Sequence, residues 1–108
     1  MLSVSNVDAQ LTNSAASVLA AGISRQLLLL KATVCNTDVA ARTVNIWRVP
    51  SAGSPGGTNL LVDALSVPAG QTLPLPLSGQ TLVNGQSLYA DASVSAAVNL
   101  SLSYATIS

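Results

Sequence analysis

Histidine, glutamate and phenylalanine are missing from this chain, and cysteine occurs once. Each absence removes a class of chemistry. Histidine is the commonest general acid-base and the usual activator of a nucleophile, so Cys35 has no sequence-level partner that makes it reactive. It reads as a small, inert hydrophobe near the end of a strand, and alone it excludes an intrachain disulfide. A zinc site lacks both its imidazoles and all but one thiolate. The only acids are Asp8, Asp38, Asp63 and Asp91, spread through the chain. A glycosidase-like carboxylate pair therefore needs the fold to bring two of them together, with few aromatics for a sugar to stack on. Asn36 beside Asp38 is the single hint of a calcium loop, and it fits a turn whose side chains bond their own backbone better. No enzyme, metal or cofactor is expected.

Charge is equally scarce. There are four basic and four acidic residues, 7% of the chain, with zero net charge. A typical soluble domain carries about a quarter. Arg25, Lys31, Arg42 and Arg48 are scattered, so no patch attracts a nucleic-acid backbone. The stretch from Ala15 to Ile23 is apolar but too short to span a bilayer. The N-terminus has no basic region of a secretory signal, so the mature chain is expected to start near Met1. Neither nucleic acid nor membrane is an expected partner. A surface this poor in charge is badly protected against association, which argues that other proteins cover part of it.

What the chain does contain is apolar residues, 49% of 108, with short polar and Gly/Pro breaks. This excludes disorder as the main state and fits one domain spanning 1–108. The hydrophobic period is two. Val98, Leu100, Leu102 and Tyr104 alternate with Asn99, Ser101, Ser103 and Ala105. Leu88, Ala90, Ala92 and Val94 alternate with Tyr89, Asp91 and Ser93. Leu73, Leu75 and Leu77 alternate with Thr72, Pro74 and Pro76, and the prolines predict an edge strand. In QLLLLKATVCN, Leu28, Leu30, Ala32 and Val34 are read on one face and Leu27 and Leu29 on the other. RTVNIWRVP follows after a short turn, and the two segments predict a hairpin.

Ser51–Thr58 is the strongest loop, with three Gly and one Pro. NLLVDALSVP fits either a helical turn or a strand, and the strand reading holds at least from Ala64 to Val67. The Ala-rich QLTNSAASVLAAG is open to strand or helix. Val67–Leu73 echoes Leu82–Leu88, each an apolar residue, a Gly-containing tight turn and a strand onset. About seven or eight strands at this spacing predict an all-β, antiparallel β-sandwich, and without a Cys pair framing Trp47 a jelly-roll-like form is preferred to an immunoglobulin one.

Two features bear on partners. Trp47 lies off the Val44/Ile46 face: it either points outward as an interface anchor, or a bulge turns it into the core. Leu27, Leu29, Leu61, Leu65 and Val67 form a second apolar set beyond one core face. These six residues are the candidate interface.

The segment VCNTDVAARTVNIWRVPSAGSPGGTNLLVDALSVPAGQTLPL resembles small virion structural proteins of tailed bacteriophages. The shared grammar is a strand ending in Asn36-Thr37, then Val44-Asn45-Ile46-Trp47-Arg48-Val49-Pro50, a Gly-rich loop and Asn59-Leu60-Leu61. Val67-Pro68-Ala69-Gly70-Gln71-Thr72 follows, and then Gly85-Gln86-Ser87-Leu88-Tyr89-Ala90. The likeness runs from Leu27 to Ala92 and leaves the N-terminal part unmatched. It implies a non-enzymatic protein of the virion, assembled in the host bacterial cytoplasm. Capsid decoration (cement) on the major capsid protein is preferred, with self-association as a homodimer or homotrimer. A tail, neck or fibre accessory, or a host-glycan-binding module, is the alternative. Residues 1–20 are then read as an N-terminal arm against the shell.

Overall fold

The structure is a computed structural model and describes residues 3–107. Nine strands form among them: β1 (Ser3–Gln10), β2 (Ala16–Ala20), β3 (Gln26–Asn36), β4 (Arg42–Val49), β5 (Leu60–Val67), β6 (Thr72–Pro74), β7 (Thr81–Val83), β8 (Ser87–Ala92) and β9 (Val98–Thr106). One sheet runs β1-β9-β3-β6, with β7 also on β3, and the other runs β2-β8-β4-β5. All pairings are antiparallel. Because β6 and β7 share the place beside β3, the strands fill two four-membered layers whose order is that of a jelly roll. The expected sandwich is present.

Period-two alternation explains the core. Leu100 and Leu102 of β9, Leu88, Ala90 and Ala92 of β8, and Val44 and Ile46 of β4 turn inward and are buried. Their intervening neighbours face out. Three strands break this rule by bulging: β2 at Val18, β3 and β5. In β3 the register against β9 shifts between Leu29 and Lys31, so Leu30 is the extra residue. The shift puts Leu27 and Leu29 on the same inner face as Ala32 and Val34, and leaves Leu30 38% exposed. In β5 the register against β4 shifts on both sides of Ile46. Ala64 there has φ +49°, and its N–H donates to the Asn45 side chain at 2.7 Å.

Several expectations change. β3 and β4 are not a hairpin: β3 pairs with β9, β6 and β7, and β4 pairs with β5 and β8 in the opposite sheet. The turn between them crosses from one layer to the other. The Ala-rich segment 10–22 holds β2 and the end of β1, and both strands lie at sheet edges because β8 and β9 offer them a backbone ladder. NLLVDALSV is strand, not helix, from Leu60. The proline segment is an edge as expected, but its strand ends at Pro74 and its last bond to β3 is from Leu75 N–H to the Ala32 carbonyl at 2.9 Å. Beyond it Leu77 N–H donates to the Leu75 carbonyl at 2.9 Å in a three-residue turn, which drops both leucines into the core. The two echoing turns close alike, Gln71 N–H on the Pro68 carbonyl and Gln86 N–H on the Val83 carbonyl, with Gly70 and Gly85 at positive φ.

Asn36 ties the crossover together. It is the one fully buried polar side chain among the described residues. Its amide nitrogen donates to the carbonyls of Ala40 and Val67, each at 2.9 Å, and its oxygen accepts from Asp38 N–H at 2.9 Å. One side chain thus joins the end of β3, the crossing turn and the end of β5. The turn reading of Asn36 and Asp38 is realised, in a connection between sheets.

Candidate interaction surface

The outer face of the β2-β8-β4-β5 sheet carries an aromatic pair. Ile46 of β4 and its neighbours Leu88 and Ala90 in β8 point inward, so Trp47 and Tyr89 point outward. The two are direct partners in the register of β4 and β8. Residues so placed have Cβ atoms about 4.5–5.5 Å apart and pack against each other. Leu60 is the register partner of Trp47 on one side and Ser17 that of Tyr89 on the other. The row Leu60–Trp47–Tyr89–Ser17 therefore crosses the whole sheet. Trp47, Tyr89 and Leu60 are half-buried, and none of them packs on the core, unlike Tyr104. No buried polar side-chain atom among the described residues lacks a partner.

The row beside this strip is polar. Asn45 and Asp91 are register partners, and the Asn45 amide donates to the Asp91 carboxylate at 2.9 Å. Asp63, on the adjacent bulge of β5, is exposed. Apolar aromatic surface and hydrogen-bonding groups thus lie side by side, the usual composition of an interface anchor and its rim.

The candidate interface residues separate clearly. Trp47 is on the outer face. Leu61 and Leu65 are half-buried and pack against the core, because the bulges of β5 turn them toward it. Leu27, Leu29 and Val67 are 6%, 1% and 0% exposed and belong to the core. No second apolar face forms from them. The reason for the first two is the β3 bulge, which a strictly alternating reading cannot contain. Tyr89 and Leu60 are the members of the strip that sequence reasoning missed. The signal was present for Tyr89, which alternates away from Leu88 and Ala90. What was lacking was the pairing of β4 with β8, some forty residues apart.

The other chemistry-bearing residues are separated. Asp38 accepts from Arg42 Nε at 2.8 Å and Nη2 at 2.6 Å. That hydrogen bond first, and then the Val39 N–H, holds its carboxyl below the usual carboxylate range. Asp8 accepts from Ser101 at 2.7 Å on the other sheet. Cys35 is half-buried on an outward row of β3, between Asn99 and Thr72, and is less covered than a core residue. Among the described residues no group of three or more acids and cysteines is placed to hold a metal ion. No described helix is long and apolar enough to cross a membrane.

No protein-family model and no curated protein sequence matches the chain. Solved structures do share its fold. One comes from Bacillus endospore appendages, described as disulfide-linked pili: the TM-score is 0.53 at 17% identity, over 98% of this chain and 84% of that one. Another is from the Gx strain of infectious bursal disease virus, with a TM-score of 0.52 at 13% identity, over 97% of this chain and 31% of that one. At such identities the likeness is one of fold: this chain is a jelly-roll β-sandwich similar to subunits of a bacterial pilus and of a virus particle.

Proposed function

We propose that the protein is a non-enzymatic structural component of a phage virion, a decoration protein that binds and stabilises the major capsid shell. The observation that carries the reading is the outward strip Leu60–Trp47–Tyr89. A chain with three aromatics has spent two of them away from its core, side by side. Water-exposed aromatic area is costly unless a partner covers it, and Trp and Tyr are the residues most enriched at binding hot spots. The shortage of charge supports permanent coverage. The shared fold with pilus and virus-particle subunits supports assembly as the working state. Contact with the shell is assigned to the strip, with Asn45, Asp63 and Asp91 at its rim.

Quantitative mass spectrometry of purified particles tests the position. Copy number comparable with the major shell protein is expected, and a few copies per particle would instead make this a neck or tail part. Trp47→Ala is expected to abolish incorporation while the isolated protein stays folded.

A second reading uses the same strip. An aromatic pair flanked by a carboxylate and an amide is also what a sugar ring stacks on, and it fits a host-glycan-binding module. Binding of the isolated protein to bacterial surface polysaccharide, lost in Trp47→Ala and Tyr89→Ala, would replace the decoration reading.

A further inference from the structure

The four-membered layers leave open edges, and all but one of them are blunted. β2 is five residues long and bulged at Val18. β5 has two register shifts and a left-handed Ala64. β6 and β7 have three residues each, and β6 ends at Pro74. Short length, bulges and proline are the devices by which sheets avoid edge-to-edge pairing. β1 has none of them. It pairs over eight residues with β9 in unbroken register and contains neither Pro nor Lys.

The pattern on β1 fits its own copy. Leu11 N–H donates to the Val98 carbonyl at 2.8 Å, which fixes the odd-numbered residues of β1 as those bonded to β9. The N–H and C=O groups of Val4, Asn6, Asp8 and Gln10 then face the open edge. Their side chains share the outer face of the sheet. Ser103 donates to the Asn6 oxygen at 2.8 Å and Ser101 donates to one Asp8 oxygen at 2.7 Å. The Asn6 amide N–H groups and the second Asp8 oxygen are left without a partner among the described residues.

We infer that β1 is a self-pairing edge, joining two copies of this chain through antiparallel β1 strands into one continuous sheet about a two-fold axis at Val7. A two-fold pairing must set even residues against even residues, because only those present free backbone groups. With the axis at Val7, Asn6 lies opposite the partner's Asp8 and Val4 opposite the partner's Gln10. The free amide of one copy meets the free carboxylate oxygen of the other, twice. Val7, already packed on the core rim, meets its own symmetry mate. A one-step slip that centred the strands on Asp8 would oppose two carboxylates, and one centred on Asn6 would set each Asp8 opposite Val4, so the match of amide to carboxylate selects the register. The interface is isologous and closes on itself, giving a dimer and not a fibre.

This inference rests on the reading that the protein works by assembly, and the experiment separates the two. The full chain is examined by sedimentation equilibrium, alone and on particles. A species of twice the 10.9 kDa chain mass is expected. Asn6→Pro removes an N–H that faces the open edge, not the β9 ladder, so it should give a folded monomer. Asn6→Asp should weaken the dimer at least tenfold, less so at high salt. In a Cys35→Ser background, Val7→Cys should oxidise to a covalent dimer and Ser5→Cys should not. A wild-type monomer that still joins particles would overturn the edge pairing and leave the assembly reading standing. A dimer indifferent to Asn6→Pro, or a Ser5→Cys cross-link, would also overturn it.

Discussion

Replacing Asn36 by alanine is expected to be among the most damaging single changes in this protein. The side chain is 0% exposed and makes three hydrogen bonds at 2.9 Å, to the backbone of Ala40, Val67 and Asp38. A neutral hydrogen bond contributes a net ~1 kcal/mol, and a buried group stripped of its partner costs ~1–3 kcal/mol more. The Val67 carbonyl lies on the buried side of this network. The expected loss is therefore about 3–5 kcal/mol, against a total stability of about 5–15 kcal/mol for a domain of ordinary size. Asn36→Asp should cost at least as much, since it turns a donor into a carboxylate facing two carbonyl oxygens. Urea unfolding followed by tryptophan fluorescence and far-UV circular dichroism reads both values, provided the slope with denaturant is unchanged. A loss under about 1 kcal/mol for Asn36→Ala would show that the crossover is held by something other than this side chain.

Leu100, 1% exposed on the central strand β9, should lose about 2–5 kcal/mol as Leu100→Ala. Val39→Ala, at a residue 95% exposed, should stay within about 0.5 kcal/mol, and equal losses in denaturant would contradict the placement of the core. The two echoing turns should differ. Gly70→Ala meets only the strain of φ +69°, whereas Gly85→Ala adds a Cβ 3.0 Å from Ser51 Oγ and 3.2 Å from Ile23 Cδ1, so its melting temperature should fall further. Asp38 titrates below its unfolded value because of Arg42, so its contribution is complete at neutral pH and is lost only as pH falls through the lowered value. Asp38→Asn should flatten the stability profile in that acid window and leave its slope above pH 5 unchanged, as pH-dependent unfolding would reveal.

Much of the architecture was legible locally. Alternation marked β4, β8 and β9, and the inward side of β8 and β9, because a strand with one buried face must alternate. The prolines at 74 and 76 announced an edge, since they cannot donate to a ladder. Gly70 and Gly85 announced the two tight turns. The missing histidine and glutamate, and the thin charge, pointed to surfaces in place of active sites. These are properties of single residues and their immediate neighbours.

The tertiary structure decided what depends on partners distant in the chain. The bulge at Leu30 exists because β9 pairs with both halves of β3, and it moved Leu27 and Leu29 from an outer face into the core. The turn after Asn36 looks like a hairpin turn in sequence, but buried hydrogen bonds to Ala40 and Val67 carry the chain across to the other sheet. Trp47 could be placed outside or inside by sequence. Pairing of β4 with β8 put it outside and set Tyr89 beside it. The N-terminal segment, whose pattern is too weak to specify a strand, became one because β9 supplied a ladder. Sequence alone determined a β-sandwich poor in charge and in catalytic groups, through composition and period. Only the long-range ladders, through their registers and bulges, determined which residues the sandwich turns inward and which it turns out.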